Sequence, residues 1–150
     1  MVINRRSFLS SAAMFALAGC AGRGTSGRDE VLAVANSGRP NSALIFWPSK
    51  FIAGLERMAF YQGDKTITSV SRGQIAVLPL APGRNHFDVG WEEAMDLPVS
   101  GETTITANPK APTYMLVGED FKGLLRRRFL AEVPKQVFLA EIGKHYQKSG

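Results

Sequence analysis

Gln74-Ile75-Ala76-Val77-Leu78-Pro79-Leu80-Ala81-Pro82-Gly83-Arg84-Asn85-His86-Phe87-Asp88-Val89-Gly90-Trp91 holds two strands and the turn between them. Residues 74–80 are apolar on both faces, as a strand covered on both sides would be. Pro82-Gly83 is the residue pair of a type II turn, with glycine taking the positive φ. Residues 86–91 then alternate: Phe87, Val89 and Trp91 face inward, and His86, Asp88 and Gly90 outward.

The same grammar extends in both directions. Upstream, 43–47 is a compact apolar run ended by Pro48. Residues 57–62 alternate, with Met58 and Phe60 on one face and Ala59 and Tyr61 on the other. A Gly63-Asp64 turn leads into the β-branched 66–70. Downstream, 102–107 and 113–117 are joined through Asn108-Pro109-Lys110-Ala111-Pro112, and 126–133 is the last strand. Strands about every ten residues with turn chemistry between them predict an all-β, antiparallel sandwich or barrel. At the C-terminus, Pro134 suits the first position of a helix. Val137, Phe138, Ile142 and Tyr146 give a helical stripe, which predicts a short helix over 135–144; a strand over 136–142 is the rival. Residues 20–41 read as a flexible tether, punctuated by glycine, serine and Pro40, with Val31 to Ala35 able to add a short strand. The folded domain is expected over 42–150.

The N-terminus carries an address. Arg5 and Arg6 precede an apolar stretch of eleven residues, 8–18, and then Leu17-Ala18-Gly19-Cys20. As a helix this stretch spans about 16 Å, too short for a bilayer core of about 30 Å. Basic start, short apolar run and small residues are the parts of a cleaved secretory signal, here 1–19. Leu17-Ala18-Gly19-Cys20 resembles the lipobox of bacterial lipoproteins, which implies cleavage before Cys20 and a diacylglycerol and fatty acid (palmitate) on that residue. Cys20 is the only cysteine, so the mature chain can form no internal disulfide. Ser7-Phe8-Leu9 after the arginine pair also resembles a twin-arginine export signal, from which Asn4 and Ser10 depart; general secretory export is the alternative. By resemblance to the enterobacterial sorting rule, Ala21 directs the protein to the outer membrane, facing the periplasm, in a two-membrane host.

Removing 1–19 leaves 131 residues, enough for one domain with its own core. The chain carries +5, and +3 without Arg5 and Arg6. A mild positive charge suits a neighbour of anionic lipid or cell-wall polymer. Export discounts nucleic acid as a partner.

Three further stretches act together: 43–48, the Pro82-Gly83-Arg84-Asn85-His86-Phe87 turn into a strand, and Thr104-Ile105-Thr106-Ala107 leading to Pro112-Thr113-Tyr114-Met115-Leu116-Val117. They resemble the small bacterial lipoprotein domain known as domain of unknown function 2846, over about 42–142. Ala111-Pro112-Thr113-Tyr114 stands where that family usually has Gly-x-Tyr. The resemblance implies an immunoglobulin- or transthyretin-like β-sandwich in the cell envelope and brings no catalytic residues.

The chain has no G-x-S-x-G and no H-E-x-x-H, and only two histidines. His86 reads as a solvent-side residue whose nearest same-face partner is Asp88. His145 reads as solvated, and no metal site or other cofactor is expected. Trp91 with Glu92, Glu93 and Asp96 could grip a sugar or divide acid and base roles. Arg126 and Arg128 share a strand face and could meet an anionic surface; the plainer reading is a charged edge strand that blocks aggregation. Trp47, beside Pro48, is the aromatic expected to be exposed. The sequence thus points to a non-enzymatic, lipid-anchored envelope lipoprotein that binds a protein partner or joins an assembly. A glycan- or peptidoglycan-binding module is the alternative, and a small envelope hydrolase the third reading.

Overall fold

The computed structural model describes residues 24–48, 57–92, 99–122 and 125–148, with backbone alone for 91–92, 99–100, 119–122, 125–128 and 148. The elements are α1 (Arg28–Ala35), β1 (Ser42–Phe46), β2 (Arg57–Gln62), β3 (Lys65–Ser71), β4 (Ile75–Pro79), β5 (Arg84–Glu92), β6 (Val99–Thr106), β7 (Thr113–Lys122), β8 (Leu125–Glu132) and α2 (Lys135–Lys148). Two four-stranded sheets result, ordered β4-β1-β7-β8 and β3-β2-β5-β6. The protein is an all-β sandwich with a C-terminal helix, as the sequence predicts. One pairing departs from the antiparallel expectation: β1 runs parallel to β7, with Ala43 opposite Thr113 and Phe46 opposite Leu116.

The doubly apolar strands explain themselves once both faces are followed. Ala43, Ile45, Ala76 and Leu78 face the second sheet, where they meet Met58, Phe60, Val70, Phe87, Val89 and Ile105. Leu44, Phe46 and Ile75 face the other way and pack under the helices, against Val31, Ala35, Phe138 and Ile142. The first sheet is therefore the middle of three layers. All five residues of β1 are buried.

The structure corrects the tether. Thr25 already pairs with Ile75 through two backbone hydrogen bonds, Thr25 N–H to the Ile75 carbonyl (2.7 Å) and Ile75 N–H to the Thr25 carbonyl (2.9 Å). Arg28–Ala35, expected as loop or short strand, is a helix. Its Val31 and Ala35, one turn apart, are fully buried in the helix-side cluster. Asn36 and Ser37 end it: Asn36 N–H and Nδ2 both donate to the Leu32 carbonyl, and Ser37 Oγ donates to that of Val34. The helix at 135–148 displaces the rival strand.

Trp47 is a second correction: it is fully buried, not exposed. It continues the inward series of Ala43 and Ile45. Its backbone is held by the 72–74 turn, its N–H donating to the Gln74 carbonyl and its carbonyl accepting from Gly73 N–H. The Arg72 guanidinium lies 5.2 Å above its ring, within cation–π range.

The turn before β5 matches its reading, with Gly83 at φ 89°. Asn85, which the sequence did not single out, closes it. Its buried side chain accepts from Ala81 N–H (2.8 Å) and donates to the carbonyls of Ala81 (2.8 Å) and Gly83 (3.1 Å).

Candidate functional site

Several residues singled out by the sequence lie outside the described part: Arg5, Arg6, Leu17, Ala18, Gly19, Cys20, Ala21, Glu93 and Asp96. Trp91 and Glu92 are placed by backbone, opposite Met58 and Arg57 of β2. Trp91 thereby occupies the strand face that holds Phe87 and Val89. Arg126 and Arg128 stand on β8, which closes one edge of the first sheet. Register puts Glu119 opposite Arg128 and Asp120 opposite Arg127. Acidic positions thus face the basic run strand to strand.

The structure assembles one cluster that the sequence showed only in part. The turn at Pro82-Gly83 sets the phase of β5, so Phe87 and Val89 enter the core and His86 and Asp88 face solvent. The β5–β6 register then brings Glu102 opposite Asp88, and Thr104 opposite His86. His86, Asp88 and Glu102 each offer a ligand atom within 4.8 Å of the others. His86 Nε2 stands 3.9 Å from Glu102 Oε1, with the two side chains 57% and 72% exposed. Nδ1 lies 3.2 Å from Thr104 Oγ1. In the tautomer whose Nδ1–H donates to that hydroxyl, Nε2 is bare and faces Glu102. Asp88, the partner foreseen for His86, is there; Glu102 comes from a strand whose register the sequence does not state.

The other histidine is not solvated as expected. His145 is half-buried on α2 with its ring edge-on to Phe46 (5.6 Å) and Tyr146 (4.8 Å), and its Nε2 covers Gly73. A groove of about 250 Å³ lies between α1 and α2, lined by Arg28, Leu32, Ile142 and Tyr146. Among the described residues no helix is long and apolar enough to cross a membrane. No family model and no curated protein matches the chain.

Proposed function

We propose that this chain is a lipid-anchored lipoprotein of the bacterial cell envelope with a non-enzymatic binding or assembly role. The observation that carries the reading is Leu17-Ala18-Gly19-Cys20, closing a short apolar run that begins just after an arginine pair. Thr25, five residues beyond that cysteine, already pairs with Ile75 of the sandwich. The resemblance to the domain of unknown function 2846 lipoproteins belongs to the same reading. So does the outer-membrane, periplasm-facing location drawn from Ala21 for a two-membrane host. The partner we favour is an envelope protein. A cell-wall glycan, gripped through Trp91, Glu92, Glu93 and Asp96, is the second choice.

Cys20→Ala tests the anchor. The variant should take up no labelled palmitate and should leave the membrane fraction or persist as uncleaved precursor. Palmitate labelling and membrane partitioning equal to wild type would refute the proposal.

A further inference from the structure

We propose that His86, Asp88 and Glu102 form a surface site for a divalent transition-metal ion of the Zn²⁺ type. The proposal stands on the β5–β6 face alone and is independent of the lipid anchor.

Three features of that face converge. The first is donor chemistry. One imidazole with two carboxylates is a set that zinc and its neighbours accept, at bond lengths of about 2.0–2.2 Å. Tetrahedral geometry at those lengths places ligand atoms about 3.3 Å apart. The observed 3.9 Å between His86 Nε2 and Glu102 Oε1 is about 0.6 Å wider, and all three ligand atoms lie within 4.8 Å of one another, so binding requires the side chains to draw together. All three side chains are exposed, so they can close on an ion without disturbing the core.

The second feature is the orientation of the imidazole. A metal-bound histidine usually donates its other ring N–H to a neighbouring acceptor, which fixes tautomer and ring. Thr104 Oγ1 stands at 3.2 Å from Nδ1 in that role, leaving Nε2 to face Glu102.

The third is an otherwise unfavourable pairing. Asp88 and Glu102 are directly opposite each other on neighbouring strands. Like charges so placed destabilise a sheet. Tyr61, the β2 partner of Asp88, carries no positive charge. A divalent cation held between the two carboxylates turns that repulsion into attraction. Three protein ligands leave the remaining positions to water.

The test uses the full chain in detergent, with Cys20→Ala so that no thiol competes. After metal is stripped with a chelator, Zn²⁺ is titrated calorimetrically in excess Mg²⁺. One equivalent should bind. His86→Ala, Asp88→Asn and Glu102→Gln should each weaken binding at least about tenfold, and His145→Ala should leave it unchanged. Circular dichroism checks that each variant is folded. By NMR, Zn²⁺ should shift the His86 ring protons and not those of His145. Failure of Zn²⁺ to saturate the protein would overturn the site. So would binding that survives all three substitutions, or that follows His145.

Discussion

Gly83 holds its turn at φ 89°, and nothing lies within 4 Å of where a Cβ would stand. A side chain there meets no clash, so the backbone alone opposes it. A β-branched residue in that region costs about 1–3 kcal/mol. Gly83→Val should therefore lower the urea midpoint, and Gly83→Asn should lower it less, because asparagine tolerates positive φ. An unchanged midpoint for Gly83→Val would mean that the turn adopts another conformation in solution. The Pro-Gly pair made this position legible in the sequence. The clamp beside it was not legible. Asn85 sits at an inward position in the alternation, where an apolar residue is expected. Only the three-dimensional turn shows that its amide satisfies the Ala81 N–H and two carbonyls. Trp47 was misread for a similar reason. Proximity to Pro48 suggested a strand end, but the 72–74 turn extends the pairing to Trp47 itself.

At the scale of elements, the strands were readable because Pro and Gly punctuate them and one or both faces are apolar. α1 was not. Its Gly27 N-cap, at φ 103°, makes no side-chain cap hydrogen bond, and its buried residues are only Val31 and Ala35. Tertiary packing creates it, since those two side chains find Phe138 and Ile142. The same principle limits the cluster at His86. Spacing of two along β5 announces Asp88, whereas Glu102 depends on a cross-strand register. The helix layer also carries a pH signature. Burial pushes the phenols of Tyr114 and Tyr146 above their usual 10.0. At Tyr146 the Gly27 backbone opposes that rise and the Glu30 carboxylate adds to it. A raised folded-state pKa contributes stability that is whole below the unfolded value and is lost as pH rises through the folded one. The fold should therefore weaken above pH about 10. A Tyr114→Phe, Tyr146→Phe chain, which has no such phenols to ionise, should lose less over the same range. Denaturation midpoints that fall in parallel for both chains would refute the assignment to these two tyrosines.

For the whole molecule, the ordering of residues 25–41 changes where the body stands. A tether of about twenty flexible residues would give an r.m.s. reach of about 25 Å. Pairing of Thr25 with Ile75 instead leaves five residue steps between Cys20 and the sandwich. Fully extended, five steps span at most about 16–18 Å. If Cys20 carries lipid as proposed, the β4 edge is held against the membrane, and the β5–β6 face belongs to the opposite sheet of the sandwich. Neutron reflectometry of the lipidated protein on a supported bilayer measures this directly. Protein density should begin within about 18 Å of the headgroups. Inserting a twenty-residue Gly/Ser segment after Ala21 should open a solvent layer by roughly the 25 Å that such a chain reaches. A layer already wider than about 18 Å in the unmodified protein would show that the Thr25 pairing does not hold at the membrane. Equal layers with and without the insert would show that the body adheres to lipid by contacts of its own.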